Sequence, residues 1–172
     1  MNELQTERLR LIPLNTKALC LALADYQQMM ESLGLRVTDA KLDEEMEYAM
    51  KVRLRKVLED EENYLWLTNW AIVQKEENEI TGFIMIKGTP NKNGEVIVGY
   101  GIEPQYRGKG YAAEALKGLV SWIFANPKVS RVIADTEKTN LSSHRVLEKL
   151  GAVIYNETEE LFWWKLESNQ SL

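Results

Sequence analysis

The sequence predicts an α+β fold: an α/β/α sandwich built on a mixed, mostly antiparallel sheet of six to seven strands, with a central parallel βαβ unit and a bulged, splayed strand pair. Three observations predict it. Two helix-periodic stretches lie ahead of a run of apolar strands. An apolar strand, a glycine-rich loop, a long amphipathic helix and a second apolar strand then follow in order across residues 96–135. Within the first of those strands, Gly99 and Gly101 mark a bulge or a close backbone approach.

The elements follow in order. Leu9 and Leu11 alternate with Arg8 and Arg10 in a short strand ending at Pro13-Leu14, and Asn15 is placed to cap a helix. Leu19, Ala22, Leu23, Tyr26 and Met30 recur at helical spacing up to a stop at Gly34. A second helix begins near Asp43, with Met46, Met50, Leu54 and Val57 on one face. Asp43, Glu44 and Glu45 in its first turn and Lys51 to Lys56 in its later part complement the helix dipole. The acidic run 59–62 reads as a solvated connection. Residues 70–73 and 82–86 form a hairpin around a polar turn, and 96–102 a third strand. A helix from about Gly108 to Ala125 ends at Asn126-Pro127, and residues 131–135 return as a strand parallel to 96–102. Asn140 to Leu150 is a helix stopped by Gly151, and 153–155 with 161–166 make a final hairpin.

Length and composition bound the function. The 172 residues, 45% hydrophobic with charges of both signs interspersed, fit a single domain spanning 1–172. A net charge of -5 argues against a nucleic-acid partner and suits a cationic one. The single cysteine, Cys20, allows neither an internal disulfide nor a cysteine zinc site, and its apolar helical surroundings read as core. With one histidine, His144, and no carboxylate cluster, no metal is expected. No stretch is apolar and long enough to span a bilayer, and the start lacks a leader pattern, so no membrane association and a cytoplasmic location are expected, as a monomer or homodimer.

The stretch that carries chemistry runs from Val98 to Ala115. Gly108 and Gly110 leave backbone N–H groups uncovered where a helix begins, and Arg107 and Lys109 add charge, which together suit a pyrophosphate. A glycine-rich loop that merely closes a turn has the same signature. A P-loop is excluded, because Glu103 stands at its first glycine and Gly110 at its Ser/Thr. Gly108-Lys109-Gly110-Tyr111-Ala112-Ala113 matches the Gly-x-Gly-x-x-Gly/Ala dinucleotide pattern, but four residues separate it from the strand and only one βαβ unit exists.

Gln105-Tyr106-Arg107-Gly108-Lys109-Gly110 resembles the Gln/Arg-x-x-Gly-x-Gly/Ala signature of the GNAT acetyltransferases. The residues after it, the opening Thr6-Glu7-Arg8-Leu9-Arg10-Leu11 and the helix Asn140 to Gly151 are similar to the RimJ/RimL branch, which acetylates N-terminal amines of ribosomal proteins. That resemblance implies an acetyl-CoA-dependent N-acetyltransferase. Backbone groups of Arg107, Gly108, Lys109, Gly110, Tyr111 and Ala112 would hold the pyrophosphate. Tyr100, Gly101 and Ile102 would pair with the pantetheine arm, and Asn140 and Ser143 would line the opposite wall. Asn140 is also a good helix cap by type and place, and Ser143 could simply bond the helix backbone. His144 and Arg145 would meet solvent or phosphate.

The acetyl acceptor would be a primary amine, either a small molecule or a peptide N-terminus. Transfer needs a base for that amine, a donor for the leaving thiolate and N–H groups for the oxyanion. Ile97 stands where the related branch often has Glu, so Glu95, two residues earlier on the same face, is the candidate base; a surface Glu at a strand start is the competing reading. Leu147 stands where many members have a Tyr acid, which leaves Ser143 as the candidate thiolate partner and Tyr100 as its alternate. A catalytically silent acyl-CoA-binding module and a nicotinamide- or flavin-dependent oxidoreductase are the competing functions. Acceptor pockets in the family draw on the helices at about 15–60 and the final hairpin, where Trp66, Trp70, Trp163 and Trp164 are candidates for lining or for core.

Overall fold

The computed structural model describes residues 2–168; the ends of the expected 1–172 domain lie outside them. In chain order the elements are β1 (Leu4–Gln5), β2 (Leu9–Pro13), α1 (Thr16–Ala24), α2 (Tyr26–Ser32), α3 (Glu44–Glu59), β3 (Asn69–Gln74), β4 (Glu79–Ile86), β5 (Glu95–Ile102), α4 (Tyr111–Phe124), β6 (Arg131–Glu137), α5 (Leu141–Lys149), β7 (Val153–Glu157) and β8 (Leu161–Glu167). All eight strands form one sheet in the order β1-β2-β3-β4-β5-β6-β8-β7, in which only β5 and β6 run parallel. The eighth strand is β1, two residues added to the edge by pairing Leu4 with Leu11 and Gln5 with Arg10.

Alternation along β3 explains the two layers. Trp70 and Ile72 join Leu9, Leu11, Ile84, Val96 and Val98 under α4 and α5. Ala71 and Val73 join Ile12 and Phe83 under α1, α2 and α3. Trp70 and Trp164 are buried in the first of these cores, so two of the four tryptophans considered for an acceptor pocket are core residues. Trp66 packs on Trp122 with ring centroids 4.8 Å apart.

Asn15 and Asn140 cap their helices as expected, and Asp43, expected in the first turn of α3, caps it instead. The side chains of Asn15, Asp43 and Asn140 accept from the amides of Ala18, Met46 and Ser143 at 2.9, 2.7 and 3.3 Å. The stretch read as one helix up to Gly34 is broken in two, because Asp25 ends α1 and caps α2 by accepting from the Gln28 amide. The acidic connection winds into a 3-10 turn from Glu61 to Trp66. Cys20 is exposed rather than core, since α1 buries Ala18, Leu19 and Ala22 and turns residue 20 outward.

The central strand pair is splayed. β5 and β6 pair only at Glu95–Arg131, Val96–Val132 and Ile97–Ile133. Beyond that, β5 stays with β4 through Ile102, and β6 stays with β8 through Glu137. Each strand keeps its outer neighbour while leaving its inner one, which opens a V-shaped slot between them. The bulge expected at Gly99 and Gly101 is not a register shift against β4, whose pairing runs unbroken from Val98 to Ile102. The closest approach lies across that pair instead. A side chain at Gly82 would overlap the carbonyl oxygen of Gly101 and come within 2.9 Å of Ile102 Cα.

Candidate functional site

The wide end of the slot opens into a cleft of about 590 Å³. Tyr100, Gly101 and Ile102 form one wall, and Asn140, Ser142, Ser143, Arg145, Val146 and Lys149 of α5 and its cap form the other. Arg107, Gly108, Gly110, Tyr111 and Ala112 close the end where α4 begins. Eleven of the thirteen candidate residues thus meet in one cleft, including every one implied for the slot walls.

The loop between β5 and α4 is built to leave its amides free. Pro104–Tyr106 makes a 3-10 turn, and Gly108 and Gly110 take φ +78 and +81. Gly110 is the left-handed N-cap of α4, with no side-chain cap. Helix α4 therefore starts at Tyr111, three residues later than the sequence suggested. The first amide of the helix to find a backbone acceptor is that of Glu114, 3.1 Å from Gly110 O. Among the described residues, the amides from Gly108 to Ala112 donate to no protein acceptor. Successive free amides at a helix N-terminus, with small residues exposing them, form an anion cradle. Arg107, Arg145 and Lys149 surround it with positive charge.

Lys109 meets the loop through its backbone, and its side chain stays out of the cleft lining. Its side chain lies over the Tyr106 ring, 5.8 Å from the centroid, and its carbonyl accepts from Arg8 Nη1 at 2.8 Å. It contributes its backbone and a nearby charge rather than a cleft wall. Lys149 was missed, although it follows Arg145 by one helical turn and shares its face. Tyr106 and Glu45 were missed as well. Tyr106 donates to Glu79, and burial together with that carboxylate raises its pKa. Glu45, from the first turn of α3, is the acidic residue among those lining the cleft.

The catalytic candidates separate by position. Ser143 lines the cleft, and among the described residues its hydroxyl has no protein partner; only its backbone is engaged by the Asn140 cap. Tyr100 lies beneath α5, its hydroxyl 3.4 Å from Ser143 O, and burial raises its pKa, so it stays a neutral donor. Leu147 is buried in the core, one turn from Ser143. Glu95 stands at the closed end of the strand pair, accepting from Asn91 at 3.1 Å and facing Arg131 at 3.6 Å, and it does not line the cleft. Alternation put it on the expected face but several residues from the opening. Asn140 is both cap and cleft wall, while His144 rests against Phe162 and Trp164 with Nε2 at 3.0 Å from Glu137 O.

Carboxylates behind the loop set an acid limit. Burial pushes the Glu114 carboxyl up, but hydrogen bonds from the Arg8 amide, Thr6 hydroxyl and Arg8 guanidinium outweigh it and leave the pKa lowered. The Arg10 hydrogen bond lowers Glu3 similarly. A lowered folded pKa stabilises the fold above the ordinary 4.5 and is lost as pH falls through the folded value. Glu103, raised by burial and by Glu79, acts oppositely: its cost appears as pH rises above 4.5. Thermal melts between pH 7 and pH 3 should therefore show a fall below about pH 4.5 that is shallower in Glu114→Gln. Equal acid slopes in the two proteins would contradict this.

Comparison with known proteins agrees with the geometry. The chain is 30% identical over 161 residues to the uncharacterized N-acetyltransferase YjdG of Bacillus subtilis, covering 94% of this chain and 95% of that one. In fold it is similar to the ribosomal-protein-S5-alanine acetyltransferase of Vibrio fischeri, with TM-score 0.71, 20% identity and 98% of each chain covered. It is likewise similar to the ribosomal L7/L12 alpha-N-protein acetyltransferase RimL, with TM-score 0.69, 12% identity and 96% and 94% of the two chains covered. Residues 8–153 match the family described as "Acetyltransferase (GNAT) domain", and the chain belongs to that acetyltransferase family.

Proposed function

We propose that the protein transfers the acetyl group of acetyl-CoA to a primary amine, on a small molecule or a peptide N-terminus, by direct attack within a ternary complex. The observation that carries the reading is the union of the free-amide loop with the splayed strand pair. The amides of Gly108 to Ala112, with Arg107 and Arg145, fit a pyrophosphate. The edge of β5 from Tyr100 to Ile102 is unpaired with β6, so the Tyr100 backbone and the Ile102 amide are available to an extended pantetheine amide chain, while the Ile102 carbonyl accepts from Arg107 Nε at 3.0 Å. A side chain built at Gly101 would meet nothing within 4 Å, which leaves that approach open.

Acetyl-CoA supplies an activated thioester, and the protein's residues position it and manage charge. Ser143 is the donor offered to the developing thiolate, and Tyr100 lies beneath it with its hydroxyl donating to Ser143 O. Glu45 presents negative charge to the cleft and favours a cationic amine, in keeping with the net charge of -5. Glu95 faces Arg131 and lies outside the cleft lining, so it is too far from the acceptor to take the amine proton directly, and water relays it.

The test is CoA release from acetyl-CoA against a panel of amines and N-terminal peptides. Release with at least one class is expected; acetyl-CoA binding without release from any would leave a silent binding module. With an acceptor in hand, Ser143→Ala should lower kcat about tenfold or more with little change in acetyl-CoA affinity, because the donor acts when charge develops. Glu95→Gln should leave the pH–rate profile in place. Unchanged kinetics in Ser143→Ala would remove that residue from the chemistry.

A further inference from the structure

The pyrophosphate loop is gripped from behind by one side chain that does not enter the cleft. Arg8 immediately precedes β2, and it meets the loop at several points. Its amide and Nε donate to the two oxygens of Glu114, each at 2.7 Å. Nη1 donates to Lys109 O at 2.8 Å, and the guanidinium lies 4.8 Å from the Tyr111 ring centroid. Nη2 stands 3.3 Å from where a side chain at Gly110 would begin. Thr6 Oγ1 holds the same carboxylate at 2.7 Å. Arg8 borders a separate groove, which Gly110 shares with the cleft.

We infer that Arg8 is a positioning residue for acetyl-CoA: it fixes Lys109, Gly110 and Tyr111 so that their free amides are already aimed before the ligand arrives. The inference rests on the acetyl-CoA reading of the cleft. Two glycines at positive φ make this loop costly to order, and a loop ordered in advance binds more tightly than one ordered on binding. A guanidinium suits the task because its planar fork can serve a carboxylate and a carbonyl while stacking on a ring; an ammonium cannot do all three. Arg8 is 46% exposed, and without its guanidinium the Glu114 carboxylate, itself 19% exposed, keeps its hydrogen bonds from the Thr6 hydroxyl and the residue 8 amide, so the loss to global stability is small. Its effect should therefore appear in affinity rather than in folding.

The experiment compares wild type, Arg8→Ala, Arg8→Lys and Arg10→Ala, the last breaking the Arg10–Glu3 pair two residues along the chain. Acetyl-CoA affinity is read by calorimetry, and amide hydrogen exchange is read across residues 108–112 without ligand. Arg8→Ala should bind at least tenfold more weakly, with faster exchange confined to the loop and a melting temperature within a few degrees of wild type. Arg8→Lys should recover only part of the affinity, and Arg10→Ala should bind as wild type does. Wild-type affinity and wild-type exchange in Arg8→Ala would overturn the inference, as would full rescue by lysine. Absence of binding in wild type itself would fall on the functional reading, and the exchange comparison would still decide whether Arg8 orders the loop.

Discussion

Gly110→Val is expected to yield a folded protein whose affinity for acetyl-CoA is at least a hundredfold weaker. The residue has φ +81, where a β-branched side chain is strained by about 1–3 kcal/mol. Its Cβ would stand 3.3 Å from Arg8 Nη2, so the group that fixes the loop would have to move. The added methyls would also crowd the amides that the small residues leave bare. Strain, a displaced brace and a covered cradle act in the same direction. A loss of about 2.7 kcal/mol, a hundredfold, is within their combined reach. Calorimetry and circular dichroism on the variant check it. A folded variant that binds normally would mean that the loop only closes a turn.

Gly82→Ala is expected to cause the largest loss of stability of any single methyl addition in the sheet, roughly 3 kcal/mol or more. The new carbon would overlap the Gly101 carbonyl, which belongs to backbone and cannot rotate away. Relief requires β4 and β5 to separate at Gly82–Ile102, the last rung of their ladder. For a chain of this length each kcal/mol shifts Tm by about 2–4 °C, so a fall of roughly 6–12 °C should be seen. The opened rung also displaces Gly101 and Ile102 from the cleft wall, so binding should weaken in parallel. A wild-type Tm would show that the strands yield there at no cost.

Features written in local spacing were legible in the sequence. The strand–loop–helix–strand unit, the caps at Asn15 and Asn140, and the glycines of the loop all follow from residue type and near neighbours. Features set by distant pairing were not. Strand β1 is two residues long and exists only because Leu11 and Arg10 offer it an edge. Gly82 looks like any strand glycine until β5 is laid against it. The splay was foreseen but attributed to a bulge, whereas it arises because β5 and β6 follow different outer neighbours. Glu95 had the right face and the wrong end of its strand: alternation fixes a face, and only the pairing with Arg131 shows where the slot begins. Arg8 and Glu114 are 106 positions apart, and no spacing rule joins them. Two errors were local. Asp25 interrupts a helical pattern with a strong capping residue, and Cys20 is off the buried stripe of α1.

Whether this cleft takes acetyl-CoA is answered most directly by thermal melts of the wild-type protein at rising acetyl-CoA, with NADH as the comparison. A ligand that binds only the folded state at one hundred times its Kd adds about 2.7 kcal/mol, so a rise in Tm of roughly 5–10 °C is expected. NADH should produce no rise. An unchanged Tm at saturating acetyl-CoA, or a rise with NADH alone, would contradict the assignment of the loop and slot to acetyl-CoA.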